Sequence, residues 1–252
     1  MSTLRAEPSV AVQAILEAIE NLKVYDVTPT IDSQLEMWYM HEPPTIVPIA
    51  THVNDGVAAN IITFSEHTGA HVDAPFHFDA DGSSIADVPI ESLLLRPYCK
   101  YDLTTDDPQP GELVGLEHLK AAEARAGFAL QPGDVAIIEF GWDKNLPGGS
   151  AGRERGWWGR NEPGLSATAC DYLAAAGVAA VACDTAACDV AVRDGEIAGA
   201  HGHAQAFLPH NILIVEGLSG LSAVPATGLF LALPLKIAGG SGSPVRVILL
   251  CD

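Results

Sequence analysis

Basic side chains are scarce in this chain: 13 lysines and arginines stand against 32 aspartates and glutamates, a formal net charge of −19. Such a surface repels phosphate backbones and anionic bilayers, so neither nucleic acid nor membrane is an expected partner, whereas cations are attracted. Cysteine is sparse as well. Cys99, Cys170, Cys183, Cys188 and Cys251 are odd in number and form no Cys-x-x-Cys pair. That argues against a disulfide scaffold and for a reducing compartment, with Cys183 acting as a small buried hydrophobe. No run of about 18 apolar residues is present to span a bilayer, and the N-terminal stretch lacks a leader's apolar core. A cytoplasmic protein is expected. Repeats, low-complexity tracts and linkers are also missing, so residues 1–252 are expected to form one domain.

What is present is a well-patterned apolar chain, 48% hydrophobic with a mean hydropathy of +0.20, long enough for a sizeable core. Apolar residues at three-and-four spacing predict a helix over Val10–Leu22. Leu22–Thr28 and Ala58–Phe64 read as strands. A helix over Gly115–Gly127 is followed by a short apolar strand, Gly133–Gly141. The pattern repeats with a helix capped by Ser166 and ended by Gly177, then a buried strand, Val178–Asp184. His210–Leu218, Gly228–Ile237 and Pro244–Asp252 are further strands. Alternation in the middle and strands at both ends predict an α/β fold with a single mixed sheet. Asn145–Gly164 reads as a long irregular loop carrying Trp157 and Trp158.

Histidine is used sparingly, nine in all, yet three fall within Glu66–Asp79, "EHTGAHVDAPFHFD". On a straight strand His67 and Asp73 would stand roughly 20 Å apart at about 3.3 Å per residue. On a helix His67 and His71 would share a face from which Asp73 points away. The chain must therefore curl for all three to converge. Gly69 permits unusual backbone angles there, and Pro75 stops a helix. Two imidazoles and a carboxylate suit Zn, Mn, Fe or Co with room for water. The competing reading is a set of ordinary polar loop residues.

This segment resembles the signature His-x-Gly-Thr-His-x-Asp-x-Pro-x-His of the metal-dependent cyclase-like hydrolases, with Ala70 in place of Thr. That family includes kynurenine formamidases, isatin hydrolases and trans-dienelactone hydrolases. Similar pieces surround Asp184 ("ACDTAACDVA") and Glu216 ("ILIVEGLSGL") and recur near the end in "LPLKIAGGSGSPVRV". The resemblance implies a swivelling β/α/β fold and a divalent metal, Mn or Zn, as one or two ions. It implies that His67, His71 and Asp73 are metal ligands and that His77 donates and accepts protons. Glu216 and His203 match holders of a second ion, with His201 and His210 competing for the place of His203. It also implies a homo-oligomer, a dimer or larger. From the residues alone, Glu216 could equally cap a strand in solvent. Asp184, at the end of a buried strand, could serve function or structural hydrogen bonding.

The expected activity is hydrolysis of a small cyclic amide or lactone, an isatin- or dienelactone-like carbonyl compound, by metal-activated water. Arylformamidase action on N-formylkynurenine is the alternative within the class. Trp38, Trp157 and Trp158 are candidate substrate-binding residues, or else plain core. The usual Trp-Pro-Gly-Asp segment of the formamidases is absent. Gly148-Gly149-Ser150-Ala151-Gly152 fits Gly-x-Ser-x-Gly but has no strand before it, so a serine nucleophile is not expected. From other classes, a non-haem iron oxygenase would require an all-β jelly roll. A non-catalytic metal-binding module would have no need of His77.

Overall fold

The computed structural model describes residues 9–252; residues 1–8, the beginning of the segment read above for a leader, lie outside it. Helix α1 (Val10–Glu20) and strand β1 (Lys23–Asp26) lead to a hairpin of β2 (Thr45–Ala50) and β3 (Ala59–Thr63), with one helical turn, α2 (His52–Asp55), at its tip. Next come β4 (His71–Asp73), β5 (Arg96–Asp102), β6 (Leu113–Val114), α3 (Leu116–Ala126) and β7 (Val135–Glu139). β8 (Gly164–Leu165), α4 (Ala167–Ala175) and β9 (Ala180–Cys183) precede a second hairpin, β10 (Val190–Arg193) with β11 (Glu196–Gly199). β12 (Leu213–Glu216), β13 (Thr227–Ala232), β14 (Gly242–Pro244) and β15 (Val247–Cys251) complete the chain.

Nine strands form one sheet in the order β1-β15-β13-β5-β7-β9-β12-β4-β14. The four central strands, β5, β7, β9 and β12, are parallel, and antiparallel strands flank them on both sides. This is the mixed α/β sheet expected from the sequence. Of these, β7, β9 and β12 read as apolar runs because both of their faces are covered. Val135, Ile137, Ala180, Ala182, Leu213 and Val215 point into one core. Ala136, Ile138, Val181, Cys183 and Ile214 point into the other, against Leu119 of α3 and Leu173 of α4. α4 begins where Ser166 Oγ accepts from the Ala169 N–H, and α3 stops at Gly127, whose φ of 74° is left-handed.

The strands predicted from the sequence all form, most with tighter bounds, while the one expected over Gly228–Ile237 runs from Thr227 only to Ala232. α1 ends at Glu20 rather than Leu22, closed by an Asn21 side-chain amide that donates to the Glu17 carbonyl. No residue of α1 is buried. Three hairpin strands, β2, β10 and β11, escaped the sequence reading, as did the central strand β5 with its mixed sequence Arg96–Asp102. β2 carries Pro48, which cannot donate to a ladder and obscures a strand pattern. The β10–β11 turn is Asp194-Gly195, with φ of 52° and 87°. An Asp-Gly pair between apolar runs is a recognisable hairpin signal that the reading passed over.

Candidate metal centre and active site

The site lies where the central parallel strands end. Glu216 is the last residue of β12 and pairs in register with His71, the first of β4. Alternation along β4 then turns His71 and Asp73 to one face and Val72 into the core on the other. Ahead of β4 the chain curls as anticipated: Gly69 adopts a φ of 62°, bringing His67 back against Asp73 at 2.7 Å between Nδ1 and Oδ1. Gly217 is needed for the same fit, since a Cβ there would stand 2.5 Å from the Gly69 carbonyl oxygen. After Asp73, Pro75 begins a single 3-10 turn, Pro75–His77, that sets His77 over His67 with ring centroids 4.1 Å apart. His203 arrives from a π-helical turn, Gly202–Ala206.

Four donors form a closed ring. His71 Nε2 is 3.4 Å from Asp73 Oδ1 and 3.5 Å from Glu216 Oε2. His203 Nε2 is 3.3 Å from Asp73 Oδ2 and 3.6 Å from Glu216 Oε1. Two ligands each about 2.1 Å from one tetrahedral ion stand about 3.4 Å apart, a spacing these contacts match pair by pair, and His71, Asp73 and Glu216 keep one donor atom each within 4.8 Å of one another. A second set, His67, Asp73 and His77, also keeps its donor atoms within 4.8 Å of one another. Asp73 belongs to both sets. The sequence grouping of His67, His71 and Asp73 is thus redistributed: His71 faces His203 and Glu216, while His67 sits beside His77.

The chemistry of the donor set fits a divalent ion. Asp73 Oδ2 is buried without a hydrogen-bond partner, a costly condition unless a cation compensates it. His71 Nδ1 donates to the Gly69 carbonyl at 2.9 Å, and His203 Nδ1 pairs with Asp189. Each ring therefore turns its Nε2 inward, the arrangement by which outer partners orient metal-ligating histidines. Burial alone would lower the His71 pKa, but Asp73 and Glu216 beside it raise it to about 10. Burial likewise opposes a charge on His203, yet Asp189 and Glu216 raise its pKa well above the usual value. Burial and the Asp73 charge raise that of Glu216. In the metal-free chain, protons on the imidazoles answer the carboxylates, and a metal ion would displace them. His77 differs: burial lowers its pKa to about 4 against the pull of Asp73, leaving it neutral.

A pocket of about 280 Å³ opens above these groups. Trp38, Phe78, Ala186, Ala187, Val190 and Ile197 supply its apolar wall. Trp38 thus reaches the pocket, whereas Trp157 and Trp158 do not line it. Trp158 is buried in the core, and Trp157 stacks on Trp142 at 5.9 Å. The reason is backbone contact: Gly159 lies against Met37, where a Cβ would come within 2.0 Å of the Met37 carbonyl oxygen, and this close approach holds the tryptophan loop inward. His201 pairs with Asp171 near the surface and His210 is exposed on another side, so His203 alone of the three competitors reaches the site. Glu216 is buried rather than a solvent cap. Asp184 accepts from the Phe140 and Trp142 N–H groups at 2.7 and 2.8 Å, a structural tie between the ends of β7 and β9. Ser150 lies in a turn with no strand before it.

The sequence reading missed His41, which lines the pocket and buries an unpartnered Nδ1, and Asp189, which orients His203. Asp189 was visible in the quoted "ACDTAACDVA" segment, but nothing in its spacing announces a histidine 14 residues on.

Comparison with known proteins gives the same architecture. An isatin hydrolase bound to the product analogue thioisatinate superposes with a TM-score of 0.80 at 23% identity, covering 97% of this chain and 99% of that one. Isatin hydrolase A from Ralstonia solanacearum gives 0.79 at 23% identity, covering 98% and 99%. A potential metal-dependent hydrolase with cyclase activity gives 0.68 at 21% identity, covering 92% and 98%. At these identities the likeness concerns the fold. The sequence itself matches the family described as "Putative cyclase" over residues 25–190, more than half of the chain, and the protein belongs to that Cyclase family.

Proposed function

We propose that the protein is a metal-dependent hydrolase that opens a small cyclic amide or lactone of the isatin or dienelactone kind. The observation that carries this reading is Asp73, a buried carboxylate shared between two donor sets at the floor of an apolar pocket, with neutral His77 beside it. A divalent ion held there, Mn or Zn as one or two ions, supplies an acidified water and polarises the substrate carbonyl. His67, His71, Asp73, His203 and Glu216 are its ligands in this reading. His77 takes a proton from the attacking water on a ring nitrogen and returns it to the leaving nitrogen or oxygen. Trp38 and Phe78 hold a flat ring and keep bulk water out. The cavity is small for a ligand site, which favours a compact ring over a long chain.

A cyclic substrate also holds its carbonyl in fixed geometry and loses less orientation entropy than an open-chain formamide. The test is kcat/KM for isatin and a dienelactone against N-formylkynurenine, with the same metal loaded. The ring compounds are expected to win. A formylkynurenine advantage above about tenfold, roughly 1.4 kcal/mol, would make arylformamidase the better reading. An oxygenase jelly roll is not compatible with this parallel-centred sheet.

We further propose a reducing, cytoplasmic setting, supported by five free and buried cysteines, and self-association through the β2–β3 hairpin. Between Thr45 and Thr63 the only Asp, Glu, Lys or Arg is Asp55. Two chains of charge −19 repel each other least at such a surface.

A further inference from the structure

His67 differs from the other histidines of the site in the nitrogen it turns inward. His71 and His203 present Nε2, because their Nδ1 atoms are engaged by Gly69 and Asp189. His67 presents Nδ1, 2.7 Å from Asp73 Oδ1, while its Nε2 lies 2.9 Å from Ser241 Oγ. Ser241 in turn donates twice to one oxygen: its hydroxyl reaches Glu66 Oε2 at 2.7 Å and its backbone N–H reaches the same atom at 2.9 Å. A carboxylate only accepts, so the single hydroxyl hydrogen is committed to Glu66. The Ser241 oxygen is then left to accept, and the hydrogen it accepts is the one on His67 Nε2. The direction of the chain is fixed from its carboxylate end. A neutral His67 therefore carries its lone pair on Nδ1, the edge it turns to Asp73.

We propose that Ser241 and Glu66 are positioning residues for the metal centre: they hold His67 in the Nε2–H tautomer so that Nδ1 serves as the ligand. The loop is shaped for this. Glycines flank Ser241 on both sides; a Cβ on Gly242 would stand 2.8 Å from His67 Cε1, and one on Gly240 would stand 2.9 Å from Glu66 Oε1. Gly242 also lies against the backbone of β4, where a Cβ would stand 2.7 Å from the Val72 carbonyl oxygen. Glu66 precedes His67 in sequence, whereas Ser241 is brought in by β14, which pairs with β4 at the sheet edge. The relay gives the centre one histidine held through Nδ1 opposite two held through Nε2.

The inference rests on the metal-site reading above, and its test separates the two. Wild-type protein stripped of metal is titrated with Zn²⁺ or Mn²⁺ by calorimetry, beside Ser241→Ala, Ser241→Thr and Glu66→Ala. If wild type binds neither ion, the metal reading itself falls. If it binds, Ser241→Ala is expected to weaken affinity by roughly 10- to 100-fold, the usual cost of losing an outer partner of a ligand, and Ser241→Thr is expected to restore it. Ser241→Ala keeps the backbone N–H bond to Glu66, so a loop-anchoring role alone would leave this variant unaffected while Glu66→Ala weakened binding. That pattern would overturn the relay, as would equal losses in the Ala and Thr variants. A measurement on wild type needs no variant: long-range ¹⁵N–¹H spectra of the Zn-loaded protein should show His67 protonated on Nε2. A proton on Nδ1 instead would overturn the proposal.

Discussion

The centre and the β2–β3 hairpin invert the ordinary distribution of side chains in opposite senses. At the centre, two carboxylates and two imidazoles are buried, Asp73 completely and with its Oδ2 unpartnered among the described residues. In the hairpin, Ile49 is 60% exposed and Ile61 55%, and among the described residues the two strands pair only with each other. A two-stranded ribbon bare on both faces is marginal in water, and an unpaired buried carboxylate is costly in a core. Each region is of a kind that a further group would stabilise. For the centre the complement is a cation, because its donors converge with separations an ion would impose. For the hairpin, in the self-association proposed above, it would be an apolar surface, because its strands carry almost no charge. Exposed α1, with Val10, Ile15 and Leu16 facing solvent, belongs with the hairpin.

The comparison is broken most severely by Asp73→Asn. This change removes the one carboxylate common to both donor sets while nearly preserving its volume. Bound metal measured by elemental analysis should fall from stoichiometric to near zero, and hydrolysis should fall to the level of the chelated protein, with far-ultraviolet circular dichroism unchanged. Wild-type metal content in this variant would put the ion elsewhere. Next in size is His77→Ala, which spares the ring of His71, Asp73, His203 and Glu216. It should retain that metal but lose roughly 10²- to 10⁴-fold in kcat, the range of a general acid–base residue. An unaltered kcat would reduce His77 to packing against His67. The smallest effect at the centre is expected from Ile49→Lys combined with Ile61→Lys. In sedimentation, this variant should move from an oligomer to the 26.4 kDa monomer, with metal affinity within twofold and monomer stability changed by about 0.5 kcal/mol or less. A wild-type monomer in the same experiment would show that the hairpin lacks the proposed complement.

The two regions were also unequally legible in the sequence. His67, Gly69, His71, Asp73 and His77 were readable together because a metal-wrapping turn is local, and the types and spacing of neighbouring residues limit what such a turn can do. The hairpin was half legible. β3 announced itself by composition, but β2 was masked by Pro48, and neither strand's exposure can be inferred from an apolar pattern that normally signals burial. The tryptophan loop misled for a related reason. Its length and aromatics suggested a pocket wall, whereas contact between Gly159 and Met37 turned Trp158 into the core.

By itself, then, the sequence determined the local elements: the apolar runs of β7, β9 and β12, the capped helices, and the curl that brings three candidate ligands onto one short segment. Each follows from interactions among residues a few positions apart, where spacing and backbone preference suffice. The tertiary structure alone decided which distant groups complete the centre. Pairing of β12 with β4 places Glu216 beside His71, pairing of β14 with β4 brings Ser241 to His67, and a π-helical turn selects His203 over His201 and His210. Those choices depend on strand order and register, which are set by burying whole faces of the sheet against two cores. No spacing along the chain records that balance.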